Sequence, residues 1–305
     1  MIAAIVNPRA GSGTAGRRWP RAARMLAERL GPVQARFTEG PAHATALARG
    51  LVRAGCSLLV VAGGDGTLNE AVNGILTESS DVQIALLPLA SGGDFARTLG
   101  LLGLASAVNA LVAGESRRVD AFRARFRGPG GVPAERYFLN EASFGLGAVV
   151  AREVRRWPRA IPGSARYLAA ALPALASGRS YRVMLRLDDS PPAAFDITTA
   201  TVANGQYQGG GIRIAPEAAV GDGLAEITVV ERVSLATVAA NLPILYSGAI
   251  YTHPKVRHWR AARVRAEAET PVPLELDGEP VGSLPLEVEA LPQAVRVIFA
   301  PAVES

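Results

Sequence analysis

The first third of the chain alternates apolar runs with stretches whose apolar residues recur at helical spacing. An apolar run that no polar residue interrupts is typical of a strand buried on both faces of a parallel sheet. The alternation predicts a doubly wound, Rossmann-like α/β domain whose ligands gather at the carboxyl ends of the strands. Strands are predicted over Ile2–Val6, Val33–Phe37, Leu58–Ala62 and Val82–Pro88, and helices over Arg17–Leu30, over His43–Ala54 and from Leu68 onward.

The pattern changes after Arg117, and from Tyr181 the chain shows period-two alternation. Such alternation is typical of half-buried strands, and a series of them predicts an antiparallel β-sandwich. The predicted strands are Val119–Phe126, Tyr137–Phe144, Tyr181–Leu187, Phe195–Ala203, Leu224–Val230, Arg263–Ala268 and Leu286–Ala290.

A chain of 305 residues is long enough for two domains. The change of pattern predicts an α/β domain over residues 1–120 and a β-sandwich over residues 121–292. A last strand over Val295–Phe299 would return to the first domain, so that residues 293–305 complete it.

Two segments interrupt the β pattern of the second half. Ala151–Arg182 carries seven arginines with Trp157 and Tyr167, and two interpretations stay open for it. It is either a basic face that rests on an anionic membrane or a solvated helix face. Val233–Tyr251 is apolar but contains Asn241 and Pro243, which favours a packed surface helix. The seven arginines are Arg152, Arg155, Arg156, Arg159, Arg166, Arg179 and Arg182.

The best candidate for a binding loop follows the strand at Leu58. Its glycines Gly63, Gly64 and Gly66 leave the backbone bare, so that an anion can approach the N–H groups. Thr67 and Glu70 have the spacing of a capping box, which predicts that a helix begins at Leu68. A strand, a glycine turn and a helix N-terminus together predict a phosphate site. Asp65 would repel a phosphate unless a divalent cation lies between them.

Composition excludes several classes of site. Lys255 is the only lysine, although the net charge is +5, and a Walker-type P-loop needs a lysine after its glycines. Three scattered histidines and one cysteine, Cys56, argue against a zinc site. A single cysteine cannot form an internal disulfide, which favours a reducing cytoplasm. No signal segment and no apolar run of about 18 residues is expected from the pattern. The arginine excess suits anionic partners such as nucleotides or membrane surfaces.

Gly11–Gly16 matches the dinucleotide fingerprint G-x-G-x-x-G, and Glu39 lies at a suitable distance for a ribose contact. However, Asn7–Ala10 separates the strand from the first glycine, where the fingerprint requires an immediate turn. We therefore interpret the segment as a phosphate-binding loop, with nicotinamide binding as a minor alternative.

Gly63–Glu70 and Asp94–Gly100 resemble motifs of bacterial lipid kinases of the diacylglycerol kinase family. The matches keep their order and run nearly from end to end of the chain. The resemblance implies a nucleotide-binding α/β domain followed by a β-sandwich lipid domain, with ATP and Mg²⁺ as cofactors. Further matches are Asn204-Gly205, Gly209–Gly211, Ala215-Pro216, Gly221–Leu224, His253–Val256 and Asp277–Pro280.

The resemblance also implies roles for individual residues. Asp65 and Asp94 would organise the catalytic magnesium, and Glu279 would accept the proton of the substrate hydroxyl. A structural magnesium would be held by one carboxylate and two carbonyls, those of Ala219, Asp222 and Leu224. Asp277-Gly278 and Asp222-Gly223 would equally suit ordinary hairpin turns. The implied ATP site is lined by Asn7, Pro8, Arg9, Ala10, Gly11, Thr38, Gly64, Asp65, Gly66, Thr67, Leu68, Asn69, Glu70 and Ser91.

The chain departs from the family pattern at two positions. Gly93 stands where the family usually has asparagine, and Gly147 where many relatives carry aspartate. The expected function is an ATP-dependent kinase of diacylglycerol or a similar lipid, working at the cytoplasmic side of a membrane. Two rivals remain open, namely an NAD-kinase-like enzyme with a soluble acceptor and a non-catalytic nucleotide or lipid sensor. No nucleic-acid partner is expected, and the choice between monomer and homodimer stays open.

Overall fold

The structure is a computed structural model that describes residues 1–78, 81–90, 93–154, 156–157 and 163–300, with the backbone alone over 163–168. The chain divides into two compact units. Unit 1 comprises Met1–Val119 with Gln293–Ser305, and unit 2 comprises Asp120–Pro292.

Unit 1 is built on a parallel sheet. Its strands β1 to β4 span Ile2–Val6, Gln34–Phe37, Leu58–Gly63 and Gln83–Pro88. They lie in the order β4-β3-β1-β2. Strands β1 and β3 are buried along nearly their whole length, as their unbroken apolar sequences predict.

The end of the chain joins this sheet. Arg296 and Val297 pair in parallel with Gln83 and Ile84 of β4. The segment after residue 292 is therefore a structural part of unit 1, although it follows the whole of unit 2 in the sequence.

In the described residues of unit 1 there are five α-helices. The longest, α1, buries Ala15, Trp19, Ala22 and Leu26, whose spacing of three and four residues places them on one face. This face packs the helix on the unit, whereas the arginines of the helix are all exposed. The helices α1 to α5 span Thr14–Leu30, His43–Arg53, Asp65–Thr77, Asp94–Thr98 and Leu104–Ala113.

Unit 2 is an antiparallel β structure around a large hydrophobic core, with a smaller buried cluster that includes Ile214 and Ile250. Phe122 and Phe138 stack in that core with ring centroids 5.3 Å apart, and Phe144 is buried beside them. Its strands β5 to β14 span Ser116–Arg127, Pro133–Phe138, Glu141–Gly145, Tyr181–Leu187, Ala193–Ala203, Ala225–Glu231, Val256–Ala261, Arg263–Glu267, Pro273–Leu276 and Glu279–Ile298, the first and last of which continue into unit 1.

The strand pairings of unit 2 close on themselves. The path runs β7-β9-β8-β12-β14-β13 and returns to β7, because β9 and β14 each pair with different strands at their two ends. Closure of this kind leaves few free strand edges around the core.

The strands of this unit differ from the sequence analysis at three places. The strand predicted over Tyr137–Phe144 is interrupted at Leu139-Asn140, between β6 and β7. Strand β11 was not predicted because its sequence VRHWRA is rich in charge, and β13 was not predicted because it is only four residues long.

Four α-helices lie in the part of unit 2 that the structure describes. The helix predicted over Val233–Tyr251 is two short helices with a break at Asn241. Among the part of the chain that the structure describes, no helix is long and apolar enough to cross a membrane. The helices α6 to α9 span Leu146–Val154, Gly163–Ala176, Leu235–Ala240 and Leu242–Ser247.

The arginine-rich segment falls on α6, α7 and β8. Arg152 and Arg156 both pair with Glu153, and Arg182 pairs with Asp196. The two remaining interpretations of the segment are not distinguished by these exposed pairs. Arg155 and Arg159 lie outside the described residues, and so do the side chains of Arg166 and Tyr167.

Candidate active site

The topology of unit 1 places a crevice between β1 and β3. From β1 the chain crosses to β2 on one side, while β3 and β4 lie on the other, so the strand order reverses at this point. Ligands of open α/β sheets bind at such a switch point, outside the carboxyl ends of the strands. Asn7 follows β1 here and Gly64 follows β3. The backbone N–H of Asn7 donates to Ala62 at 3.0 Å, and its side-chain amide donates to Thr67 Oγ1 at 3.0 Å, so the two loops are joined.

The loop after β1 is a compact turn. Gly11, Ser12 and Gly13 all have positive φ, between 57° and 83°. A Cβ at Gly16 would lie 2.8 Å from the carbonyl oxygen of Pro8, so helix α1 approaches the loop only because this residue is glycine. This geometry does not support the alternative that Gly11–Gly16 is a dinucleotide fingerprint, because the glycines serve the packing of the loop itself.

Most N–H groups of this loop already have acceptors inside it. Those of Ala10, Gly13 and Gly16 donate to Asn7, Arg9 and Pro8, and that of Arg9 donates to Asn7 Oδ1. The loop is therefore preformed, and the exposed guanidinium of Arg9 is its best remaining group for a phosphate.

The predicted capping box does not exist. Helix α3 begins at Asp65 rather than Leu68, and its N-cap, Gly64, makes no side-chain cap. The Thr67 hydroxyl accepts from Asn7 instead. The Glu70 carboxylate accepts from the N–H groups of Ala42 and Ala44 at 2.9 and 3.0 Å, so it caps helix α2. Both side chains therefore form hydrogen bonds with other segments instead of the reciprocal bonds of a capping box.

Asp65 lies at the start of α3 and binds the N-terminus of α4. Its carboxylate accepts three backbone N–H groups, from Gly93, Asp94 and Phe95, at 3.0 to 3.2 Å. A negative charge is favourable there because the helix N-terminus carries a partial positive charge. Gly93 takes part through its backbone with φ 99°, a conformation that suits glycine.

The fit of a catalytic magnesium can be judged from this arrangement. Asp65 and Asp94 are hard oxygen donors at one helix N-terminus, and Asp65 Oδ1 keeps a lone pair beyond its single N–H bond, whereas Oδ2 accepts two. The donor set therefore fits Mg²⁺, although the first role that the geometry assigns to Asp65 is to hold α4.

The other predicted nucleotide residues occupy varied places. Thr38 is buried at the end of β2 and donates its N–H to Val6, while Leu68 and Asn69 are buried on α3. Pro8, Ala10 and Gly11 belong to the loop after β1, Gly66 to the first turn of α3, and Ser91 lies outside the described residues.

In unit 2, Glu279 follows a two-residue hairpin turn. Asp277 and Gly278 connect β13 to β14 with φ of 48° and 78°, so this segment is the hairpin turn that its sequence allowed. Glu279 pairs with Leu276 across the hairpin and is partly buried. The turn therefore presents Glu279 at the beginning of a rigid strand.

Asp277 is buried and fastens this turn to β7. Its carboxylate accepts the N–H groups of Leu139, Asn140 and Glu141 at 2.9 to 3.2 Å. Three such bonds compensate the desolvation of a buried carboxylate.

Two further carboxyl groups, Glu141 and Glu275, were missed by the sequence analysis. Both are buried, and their side chains are hydrogen-bonded to each other. The N–H of Gly278 donates to Glu275 Oε2 at 2.6 Å. Burial, together with the nearby charges of Asp277 and Glu279, raises the pKa of Glu275 to about 8. The one sequence signal that could have revealed this pair is Glu275, a glutamate within a short apolar strand.

These two carboxyl groups line an apolar cavity of about 180 Å³ in unit 2. Its walls come mainly from aliphatic side chains of α6, α7, the two helices after β10 and the sheet. Gly147 lies in the wall and donates its N–H to Thr199 Oγ1 at 3.2 Å; a Cβ there would lie 2.3 Å from Ser143 Oγ, so an aspartate would require Ser143 to move. The aliphatic lining residues are Leu146, Val150, Leu175, Ile212, Ile214, Val230, Val233, Val238, Leu242, Leu245 and Ile250.

The predicted structural-magnesium loop contains an ion pair. Asp222 Oδ1 accepts the N–H of Leu224 at 3.0 Å, and Asp222 also pairs with Arg260. Asp120, which is fully buried, accepts the N–H of Gly223 at 2.7 Å and was not foreseen. Ala219, Asp222 and Leu224 share one turn. However, the Arg260 guanidinium competes with a cation for the Asp222 carboxylate, so the donor set fits Mg²⁺ poorly as long as this ion pair is intact.

A cluster of two glutamates and one histidine lies near this loop. Ligand atoms of Glu217, Glu226 and His258 lie within 4.8 Å of one another. Glu226 is buried and accepts from the Tyr251 hydroxyl at 2.8 Å, and burial raises the pKa of its carboxyl.

Comparison with known proteins agrees with both halves of this architecture. The family model of the diacylglycerol kinase catalytic domain matches residues 1–124, and that of the YegS C-terminal NAD kinase beta sandwich-like domain matches residues 140–299. The chain belongs to the diacylglycerol kinase-like family of lipid kinases. The resemblance and the fold class predicted from the sequence are thereby confirmed.

Relatives of this lipid kinase family match the chain over most of its length. The diacylglycerol kinase of Mycobacterium tuberculosis (strain ATCC 25618 / H37Rv) is 29% identical over 302 residues, which are 97% of this chain and 94% of the relative. A crystal structure of a diacylglycerol kinase from Bacillus anthracis str. Sterne has a TM-score of 0.72 at 23% identity and covers 99% of this chain and 97% of its own. An NAD kinase from Archaeoglobus fulgidus in complex with ATP has a TM-score of 0.51 at 15% identity, with 98% and 94% covered. At these identities the two structures establish the fold alone.

Proposed function

We propose that this chain is an ATP-dependent lipid kinase that transfers the γ-phosphate of ATP to a hydroxyl of diacylglycerol or a similar lipid. Family membership supports a kinase, and the apolar cavity of unit 2 is the observation that favours a lipid acceptor. The cavity wall is chiefly aliphatic but includes two carboxyl groups, which suits a lipid with a hydroxyl head group, whereas a soluble acceptor would require more polar walls.

The nucleotide is assigned to the switch-point crevice of unit 1. Asn7 and Thr67 join its two loops, and the preformed turn after β1 keeps Arg9 exposed for phosphate contacts. Phosphoryl transfer depends mainly on positioning and charge neutralisation. Mg²⁺ held by Asp65 and Asp94 would supply that neutralisation when bound.

Acid–base chemistry is assigned to Glu279 in unit 2. The hairpin turn holds it at the first position of β14, partly buried, where its carboxyl would accept the hydroxyl proton. A positioned base of this type contributes about 10²–10⁴-fold in rate. Because the acceptor is a lipid, the enzyme would work at a membrane surface, on the cytoplasmic side.

A kinase with a soluble acceptor is the second candidate, because the fold is shared with an NAD kinase of known structure. The aliphatic walls of the cavity argue against it.

One experiment separates the candidates. The purified chain receives radiolabelled ATP and Mg²⁺ with diacylglycerol in phospholipid vesicles, with NAD, or with no acceptor. We expect label in the lipid fraction and only background label in NAD. Transfer to NAD would establish the second candidate, and binding of ATP without any transfer would point to a sensor.

A further inference from the structure

The carboxyl groups of Glu141 and Glu275 have no role in the proposed phosphoryl transfer, yet both are buried in the wall of the cavity. Glu141 opens β7 and Glu275 lies on β13, two residues from Asp277, whose N–H donates to the carbonyl of Glu141 at 2.9 Å. The pair therefore stands on the paired strands β7 and β13, which fix its position. A charged side chain in such a place is costly unless a partner compensates it.

Besides the N–H of Gly278, which donates to Glu275 Oε2, the side-chain partner of each carboxyl group is the other one. A hydrogen bond between two carboxyl groups requires a proton, because two carboxylates offer acceptors only. The described groups around the pair add negative charge rather than positive, since Asp277 and Glu279 belong to the same hairpin. Tyr246 is the other titratable residue of the cavity wall. The pair thus shares a proton at neutral pH.

Among the described residues that line the cavity, there is no arginine, lysine or histidine. An anionic head group inside it would lose its hydration, would find no cation and would face the carboxyl pair. A hydroxyl is well served there, because it can stand between the two groups, donating to one carboxyl oxygen and accepting a hydrogen bond from the proton that the other carboxyl group otherwise donates to its partner.

We propose that the Glu141–Glu275 carboxyl pair selects an acceptor lipid with an uncharged hydroxyl head group and rejects the same lipid once it carries phosphate. This inference rests on the proposed function, and it deepens that proposal by giving the cavity a means to distinguish substrate from product. The pair acts as a specificity determinant, and Glu279 remains the assigned base.

The test is equilibrium binding without ATP, so that it does not depend on turnover. A fluorescent monoacylglycerol analogue is displaced from the full-length protein by 1-decanoylglycerol, by its 3-phosphate or by decylamine. Like charges in contact repel each other, so we expect the phosphate to bind at least about tenfold more weakly than the glyceride in the wild type. Equal binding of glyceride and phosphate, or tighter binding of the amine, would overturn the proposal.

The matched variant is Glu141→Gln with Glu275→Gln, which keeps the shape of both side chains and their mutual hydrogen bond but removes the charge. We expect the preference for glyceride over phosphate to fall to within about threefold, because the repulsion is gone. Glu267→Gln, on the exposed face of β12, should keep the wild-type preference. An unchanged preference in the double variant would contradict the role of the pair.

A measurement on the wild type alone covers the case in which the double variant fails to fold. Above pH of about 8 the pair loses its shared proton, and glyceride affinity should fall with it. Glyceride affinity that is constant from pH of about 6.5 to 9.5 would reject the pair. Normal discrimination without phosphoryl transfer would reject only the proposed function, and transfer without discrimination would reject only this inference.

Discussion

At the scale of single residues, several carboxylates of this protein accept hydrogen bonds from backbone N–H groups, and these bonds determine their structural role. Asp65, Glu70, Asp120 and Asp277 each bind backbone N–H groups from distant segments. Such charge-assisted hydrogen bonds are among the stronger ones in proteins. A mutation at these positions therefore affects both local order and any chemistry that the carboxylate performs.

Asp65→Asn tests the double role of that residue. The amide keeps one acceptor oxygen for three N–H donors and carries no charge for a metal. We expect kinase activity to fall at least about 10²-fold and stability to fall by about 1–2 kcal/mol, while the fold survives. Activity in Mg²⁺ and ATP, with unfolding by denaturant, measures the two effects.

Asp189→Asn is the control for this change because its side chain is almost fully exposed, and both properties should stay at wild-type values. Activity of the Asp65 variant within a few-fold of wild type would leave only the capping role.

Glu279→Gln tests the assigned base. The amide preserves size but cannot accept the hydroxyl proton, so we expect kcat to fall about 10²–10⁴-fold. Nucleotide Kd should be nearly unchanged, since the change removes only proton acceptance. Steady-state kinetics and nucleotide titration on the same folded variant give both values. Glu287→Gln, an exposed position on the same strand, should retain wild-type kcat, and near-normal kcat in the Glu279 variant would exclude the base.

At the scale of elements, the helix termini of unit 1 are capped by neighbours rather than by their own residues. Helix α2 has Ala42 as its N-cap with φ 60°, and the cap comes from Glu70 on α3. Helix α4 is capped in the same way by Asp65. These caps tie three helices together at the carboxyl side of the sheet, where the nucleotide is proposed to bind.

Glu70→Ala should loosen α2. Loss of a helix cap costs about 0.5–2 kcal/mol, so we expect a fall in stability of about 1–2 kcal/mol. Unfolding by denaturant measures the change. Glu28→Ala, at an exposed position of α1, should change stability by less than about 0.5 kcal/mol. Equal effects of the two substitutions would show that Glu70 does not cap α2.

At the scale of the whole molecule, the buried carboxyl pair links stability to pH. The pKa of Glu275 is 4.5 when unfolded and about 8 in the fold, so the folded chain holds a proton that the unfolded chain releases. This contribution is fully present below pH of about 4.5 and is lost as the pH rises towards 8, with each pKa unit worth about 1.4 kcal/mol.

We therefore expect the wild-type Tm to fall between pH 5.5 and 8 by several degrees more than that of Glu275→Gln, about the shift that a few kcal/mol gives in a chain of this size. Thermal unfolding at both pH values measures this difference. Glu267→Gln should follow the wild type, and parallel curves for wild type and Glu275→Gln would contradict the shared proton.

The sequence by itself determined the order and type of most elements. Unbroken apolar runs and period-two alternation report burial directly, and Asp277-Gly278 is sufficient to predict a hairpin because few residue pairs adopt its φ values. Only the tertiary structure decided what the polar side chains do. Thr67 and Glu70 satisfied a local pattern but found partners on other elements. The burial of Glu141 and Glu275 likewise depends on strands that are distant in sequence, and no local pattern records such contacts.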